Sequence, residues 1–143
     1  MPYEFLEDAA TADIAFTARG KSVEEVFIAA ADALINVMVE DLDSIQPRAR
    51  LTLALENDQL EMLLFNFLQE FIYYKDAENL ILRAGEVHIA QENKQYTLGA
   101  VAAGETLDPQ RHHTRADVKA VTLHQFRLEQ TDHGWEASVI LDI

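Results

Sequence analysis

The order of hydrophobic patterns along the chain constrains its fold more than any single motif. Two segments, 23–38 and 60–72, repeat apolar residues at helical spacing, and from Leu80 onward only strand-like alternation follows. Strands that are grouped after the helices, instead of alternating with them, favour an α+β domain. We therefore predict two helices packed on a largely antiparallel or mixed β-sheet, in one two-layer domain that spans residues 1–143.

Both helical segments carry sequence signals for their first turn. Ser22 with Glu25, and Asp58 with Glu61, have the spacing of a capping box. The apolar stripe of the second segment is so wide that this helix must be largely buried. A groove for a partner or a lipid is the alternative interpretation of the same stripe.

Short alternating segments predict the strands. They lie at 3–7, 13–19, 51–55, 80–82, 87–90, 96–101, 118–124, 126–129 and 135–143. Between the predicted strands 96–101 and 118–124, residues 104–115 are predicted to form a polar loop, and loops of this kind often carry binding residues.

Composition excludes several classes of site. The chain has no cysteine, so disulfides, zinc–thiolate sites and thiol nucleophiles are excluded, and a reducing cytosolic setting is compatible. The first residues lack the basic and apolar regions of a signal peptide, and no stretch approaches the ~20 apolar residues of a membrane span. We expect a soluble cytoplasmic protein that does not contact a membrane.

The charge is strongly acidic and uneven. There are 25 acidic and 11 basic residues, a formal net charge of −14. Phosphate binding relies on Lys and Arg, so this balance opposes direct binding of nucleic acid and favours a basic partner. Residues 1–80 carry 16 acids and 5 bases, but residues 81–143 carry 9 and 6, so any phosphate contact is expected in the second part. The alternative is that the acidity only keeps the domain soluble.

Two isolated aspartates suggest a metal site. Asp13 starts an alternating apolar strand, and Asp142 stands one residue before Ile143, the last residue of the sequence. If the two strands are adjacent, both carboxylates and the terminal carboxylate of Ile143 could form an oxygen cluster suited to Ca²⁺, Mg²⁺ or Mn²⁺. Two solvated acids and a free chain end are the simpler interpretation.

The polar loop and the strand after it contain the remaining candidates. Asp108 precedes Pro109 and suits a turn, whereas His112 and His113 are adjacent and therefore poorly placed to share a zinc ion. Lys119, within an alternating segment, could meet a phosphate or a partner carboxylate, or could be a solvated lysine. No nucleophile elbow, P-loop, dinucleotide-binding turn or zinc-protease helix is present, although paired carboxylates could support metal-assisted hydrolysis.

Taken together, the motifs resemble the archease family over the full length and in the same order. The residues that carry the resemblance are Tyr3-Glu4-Phe5-Leu6, Thr11-Ala12-Asp13-Ile14, Gly104-Glu105, Asp108-Pro109, Arg111-His112, Val118-Lys119-Ala120-Val121-Thr122, His124, Trp135 and Val139-Ile140-Leu141-Asp142-Ile143. The resemblance implies a small non-catalytic partner of an RtcB-type tRNA-splicing RNA ligase, which promotes guanylylation of the ligase with GTP and its repeated turnover. RNA would then be contacted only through the ligase.

The resemblance also implies roles for individual residues. The metal-binding aspartates of the family fall on Asp13 and Asp142, with Ile143 contributing oxygen, and a functionally important lysine falls on Lys119. The other candidates for partner contact or function, within the shared motifs, are Glu105, Asp108 and His112.

One position departs from the family pattern. Members often carry His-Thr-Ala-Asp where this chain has Ala10-Thr11-Ala12-Asp13, and Asp8 is a candidate to compensate for the missing histidine. Two other functions stay open on the sequence: a metal-dependent hydrolase of phosphoesters or nucleotides, and a general protein-folding modulator.

Overall fold

The computed structural model describes residues 2–6 and 13–143. The strands are β1 (Tyr3–Leu6), β2 (Asp13–Gly20), β3 (Ala49–Asn57), β4 (Leu80–Glu92), β5 (Gln95–Thr106), β6 (Ala120–Thr131) and β7 (Gly134–Asp142). The helices are α1 (Val23–Met38), α2 (Leu60–Glu78) and the one-turn α3 (Pro109–His112), with a 3-10 turn at Leu42–Ser44. In the described ranges, no helix is long and apolar enough to cross a membrane.

The strands form two antiparallel sheets. One has the order β1-β2-β7-β6 and the other the order β3-β5-β4, and every pairing between described strands is antiparallel. The predicted α+β class, with two long helices and a strand-rich second half, is confirmed. The difference from the prediction is that the strands divide between two sheets instead of forming one.

Helix α1 explains why one sheet is not sufficient. Ten of its 16 residues are buried, including the run Ala29–Ala31, so the helix is apolar nearly all round and needs cover on two sides. It contacts β2 and β7 of the first sheet and β4 of the second. The predicted capping box is confirmed, because Ser22 Oγ accepts from Glu25 N at 3.2 Å and Glu25 Oε2 accepts from Ser22 N at 3.3 Å.

Helix α2 begins differently from the prediction. Its N-cap is Gln59, whose side chain makes no capping bond, so the predicted cap by Asp58 is wrong. Asn57 Oδ1 instead accepts from Gln59 N at 2.9 Å, which stabilises the turn that leads from β3 into the helix. The helix ends at Glu78, where Asn79 adopts a left-handed conformation with φ of 53°.

Side chains of α2 also bind the outer edge of β6. Gln69 Oε1 accepts a hydrogen bond of 3.2 Å from Val121 N, and Glu61 Oε1 accepts one of 3.5 Å from Leu128 N. The helix therefore lies along the edge strand of the four-stranded sheet and satisfies two backbone donors that face away from β7.

Two strands are longer than predicted because each contains an irregularity. The predicted strands 80–82 and 87–90 are parts of β4, whose register shifts between Ala84 and Glu86. The predicted strands 118–124 and 126–129 are parts of β6, except that Val118 and Lys119 precede it, and the register of β6 shifts between Thr122 and Arg127. Extra residues at such bulges interrupt the alternation of apolar and polar side chains, which made one strand look like two.

Candidate functional site

Asp13 and Asp142 are direct cross-strand partners. Antiparallel pairing of β2 with β7 sets Asp13 opposite Asp142 and Ile14 opposite Leu141. Side chains of opposite residues lie on the same face, with Cβ atoms about 4.5–5.5 Å apart. Both aspartates are partly exposed and stand at the ends of their strands. The adjacency of the two strands, which the sequence left open, is therefore present.

The chemistry of this pair fits a hard divalent cation, although the two carboxylates alone are an incomplete ligand set. In residues 2–6 and 13–143, no group of three or more His, Cys, Asp or Glu side chains is arranged to hold a metal ion. A cation at the pair would need further oxygens, such as the carboxylate of Ile143 or water. Asp8 and Ala10, named above in the first motif, lie outside the described residues.

A backbone hydrogen bond joins Lys119 to Asp142. Its N–H donates to Asp142 O at 2.8 Å, and the next residue, Ala120, is the cross-strand partner of Asp142. The Lys119 side chain is exposed, and none of the ion pairs within the described part of the chain includes it. The structure thus brings Asp13, Asp142 and Lys119 to the same end of three neighbouring strands.

Glu105 is a buried carboxylate that joins three segments of the chain. It lies in β5, not in the predicted loop, and only 4% of its surface is exposed. Oε2 accepts from Gln46 N at 2.7 Å, and Oε1 accepts from Arg48 Nε at 3.2 Å and forms an ion pair with Arg111. The preceding Gly104 is required for this packing, because a Cβ there would collide with the backbone of Ile81.

These contacts determine the ionisation of Glu105. The Arg111 guanidinium lowers the pKa of Glu105 most, burial opposes it by raising the pKa, and the bonds from Gln46 N and His112 lower it further. The resulting pKa is about 2, so the carboxylate is charged at neutral pH. Glu105 is therefore a stable anion that organises its surroundings.

The hydrogen bonds of His112 determine its tautomer. Nδ1 accepts from Asp108 N at 2.9 Å, so the proton of the neutral ring is on Nε2, which donates to Glu105 Oε2 at 2.9 Å. His112 is fully buried. Asp108 is exposed, and its Oδ1 accepts from Gln110 N at 3.1 Å and from Arg111 N at 3.4 Å at the start of α3.

Glu105, Asp108 and His112, predicted as candidates for partner contact or function, thus form one hydrogen-bonded unit that anchors α3 to β5. The segment after α3 is in turn bonded to the end of α1, because Arg115 N donates to Met38 O at 2.8 Å and Ala116 N to Val37 O at 3.2 Å. The whole connection from β5 to β6 is therefore held to the body of the protein.

Sequence reasoning missed Lys75, which is buried on α2 with 7% exposure. A signal was present, because position 75 stands four residues after Phe71 and three after Ile72, on the apolar stripe of the helix. Lysine is almost never fully buried unless it is paired, so a lysine on such a stripe indicates a specific interaction.

Comparisons with known proteins agree on one family. The profile of the Archease protein family matches residues 3–143. Protein archease of Pyrococcus abyssi is 40% identical over 134 residues, covering 93% of this chain and 94% of the relative. Protein archease of Methanosarcina mazei is 38% identical over 142 residues, covering 99% and 95% of the two chains.

Solved structures have the same fold. The solution structure of Methanobacterium thermoautotrophicum protein 1598 is similar with a TM-score of 0.85 and 31% identity, covering 99% of both chains. The crystal structure of an archease from Thermotoga maritima, described as a possible chaperone, has a TM-score of 0.63 over 96% of both chains. At 17% identity, this second likeness shows the fold alone.

Proposed function

Because this chain belongs to the archease family over nearly its whole length, we propose that it is a non-catalytic activator of an RtcB-type RNA ligase. The ligase joins RNA ends in tRNA splicing and RNA repair, and the activator promotes its guanylylation with GTP and its repeated turnover. The observation that carries the proposal is the cross-strand pairing of Asp13 with Asp142. A carboxylate pair at the ends of two strands suits a cation that is shared with a partner.

In this proposal, Asp13 and Asp142 hold a divalent cation with oxygen from the Ile143 carboxylate. Ca²⁺, Mg²⁺ and Mn²⁺ all accept oxygen ligands of this kind. When bound, the ion supplies positive charge with coordination positions open to oxygens of the partner or its nucleotide. The pairing of β2 with β7 orients the two carboxylates toward the same face before any ion binds.

Lys119 contributes a second positive charge at this end of the sheet. Its ammonium is a compact point charge, suited to a phosphate or a partner carboxylate. Glu105, Asp108 and His112 act indirectly, because their hydrogen bonds hold the connection that leads to Lys119.

The acidic surface fits a basic partner. A net charge of −14 repels nucleic acid but attracts a ligase that is itself basic, chiefly by raising the association rate. RNA contact is therefore assigned to the ligase, and the cysteine-free chain suits the reducing cytoplasm.

A protein-folding modulator is the second candidate. It is favoured by the description of the Thermotoga maritima archease as a possible chaperone. The two functions differ in what they require of the aspartate pair, because general chaperone activity depends on exposed apolar surface and not on a cation site.

The test is transfer of label from GTP to a cognate ligase at limiting concentrations of this protein. We expect stimulation that is lost in Asp142→Asn and retained in Asp132→Asn, whose substituted side chain is exposed in the turn before β7. No stimulation by the parent protein would overturn the proposal.

Nucleotide hydrolysis by the protein alone, abolished by Asp142→Asn, would instead establish a hydrolase. Equal suppression of client aggregation by both variants, without ligase stimulation, would establish the chaperone.

A further inference from the structure

Lys75 bonds the chain at the entrance to β6. Its Nζ donates to Asp117 Oδ1 at 2.7 Å and to Val118 O at 2.9 Å, and it also pairs with Asp76 on its own helix. In the described residues, the hydrogen bonds of the Asp117 carboxylate and of the Val118 carbonyl both go to Lys75. One ammonium therefore connects α2 to the two residues that precede Lys119.

Packing of the core does not require a charged side chain at position 75. Burial by itself lowers the pKa of Lys75, but the hydrogen bonds and charges of Asp117 and Asp76 outweigh burial and raise it above its usual value. The side chain is therefore a charged ammonium with 7% exposure. Replacing buried ion pairs by well-packed apolar residues is often neutral or stabilising, so packing alone gives no reason for lysine here.

The contacts of Lys75 continue directly to the aspartate pair. After the Val118 carbonyl that Lys75 holds, Lys119 N donates to Asp142 O at 2.8 Å. Ala120 then pairs with Asp142, which pairs with Asp13 on the next strand. Hydrogen bonds and the intervening peptide thus connect a 19-residue helix to Asp142, and the pairing of β2 with β7 sets Asp13 opposite it.

No other described side chain forms a hydrogen bond with Asp117 or with the Val118 carbonyl. On the N-terminal side of these residues, Arg115 and Ala116 are bonded to the end of α1. On their C-terminal side, β6 pairs with β7. Lys75 holds the two residues between these anchors, Asp117 and Val118, of which Asp117 is exposed and Val118 is buried.

We propose that Lys75 is a positioning residue of the activator site, whose buried ammonium fixes the entrance of β6 and thereby the placement of Lys119 beside Asp142. This role rests on the proposed function, because it concerns the residues that would act on the ligase. In this proposal Lys75 acts through the placement of Lys119 and not by its own contact with the ligase or with a metal ion.

The test compares Lys75→Met with Lys94→Met, a control at an exposed lysine in the turn between β4 and β5. Three quantities are measured: the urea midpoint, the exchange rate of each backbone amide, and ligase guanylylation at limiting activator. We expect Lys75→Met to speed exchange of the Lys119 amide by about tenfold more than exchange of the α1 amides, with only a small fall in the urea midpoint, and to lose most stimulation. Lys94→Met should match the parent protein in all three.

The outcomes separate the positioning role from simple stabilisation. A merely structural lysine would speed exchange of the Lys119 amide and of the α1 amides by the same factor, in step with the fall in the urea midpoint, and that result overturns the inference. Unchanged exchange at Lys119, or undiminished stimulation, also overturns it. Asp117→Asn weakens the same tie from an exposed position, so it should show a smaller effect of the same kind even if Lys75→Met fails to fold. If the parent protein does not stimulate the ligase, the proposed function fails, and Lys119 exchange alone decides whether Lys75 holds the strand.

Discussion

His112 Nε2 donates a hydrogen bond to Glu105 Oε2 across 2.9 Å, and both side chains are buried. Because Asp108 N occupies Nδ1 as a donor, this direction is the one compatible with a neutral ring. The bond joins the end of β5 to α3, and it explains why a histidine in a polar segment is inaccessible to metals and partners.

Glu105→Gln is expected to lower the free energy of unfolding at pH 7 by about 1–3 kcal/mol, because buried hydrogen-bonding groups lose a charged acceptor. Urea unfolding measures the change. Glu86→Gln, at an exposed position on β4, is the control and should stay within about 0.5 kcal/mol of the parent. Equal midpoints for the two variants would mean that the Glu105 network does not stabilise the fold.

The stabilisation by Glu105 should depend on pH in one direction. Its pKa in the folded protein is about 2, below the ordinary 4.5, so the folded state favours the ionised form. The contribution is therefore fully present above about pH 4.5 and is lost as the pH falls toward 2. We expect the stability difference between the parent and Glu105→Gln to shrink progressively in urea titrations from pH 6 to pH 3. A constant difference over that range would contradict the assignment.

Asp142→Asn should have opposite effects on stability and on metal binding. Like charges directly opposite each other on neighbouring strands are destabilising, so in the presence of a chelator the variant should be more stable by about 0.2–1 kcal/mol. Added Mn²⁺ or Ca²⁺ should stabilise the parent but not the variant, since ligands that bind only the folded state raise its stability. Calorimetric titration of Asp132→Asn supplies the control, and an unchanged isotherm for Asp142→Asn removes the site.

The proposed contribution of Ile143 has its own test. A short Gly-Ser extension after Ile143 moves the terminal carboxylate away while leaving both aspartates in place, so divalent affinity should fall without a change in the urea midpoint. Undiminished affinity in calorimetry would show that the carboxylate of Ile143 is not a ligand.

Lys119→Glu is expected to keep a near-native melting temperature but to lose most stimulation of the ligase. Its side chain is exposed and its bond to Asp142 comes from the backbone, so the stability change should be within about 0.5 kcal/mol. Lys94→Glu makes the same charge change elsewhere on the surface and should retain stimulation. If both variants stimulate as well as the parent, Lys119 is a solvated lysine.

Local patterns predicted the parts of the fold that depend on local chemistry. The spacing of apolar residues predicts α1 and α2, and Ser22 with Glu25 predicts a cap that the structure contains. Asp58 with Glu61 has the same spacing but makes no cap, because the N-cap of the helix is Gln59, one residue later. The spacing alone does not show at which residue the helix begins. The bulges in β4 and β6 were not predicted, since the alternation of apolar and polar residues does not show which residues lack a cross-strand partner.

The sequence predicted which residue types belong to the candidate site, but not which of these residues lie side by side. The aspartates were found as isolated charges, but their adjacency comes from the pairing of β2 with β7, two strands that are more than 110 residues apart in the sequence. Glu105 and His112 were predicted to lie in a loop, because a polar sequence does not reveal that the two side chains are buried and bonded to each other. Lys75 was missed because its partners, Asp117 and Val118, are distant in sequence.

The hydrogen bonds from Val121 and Leu128 to side chains of α2 have a consequence for behaviour in concentrated solution. Exposed strand edges are templates on which a second molecule can add its own strand and begin a polymer. At β6, Gln69 and Glu61 already occupy two of the outward amides. An incoming chain would have to displace side chains that are anchored on a packed helix. This edge of the sheet therefore resists self-association, although β6 keeps its full length.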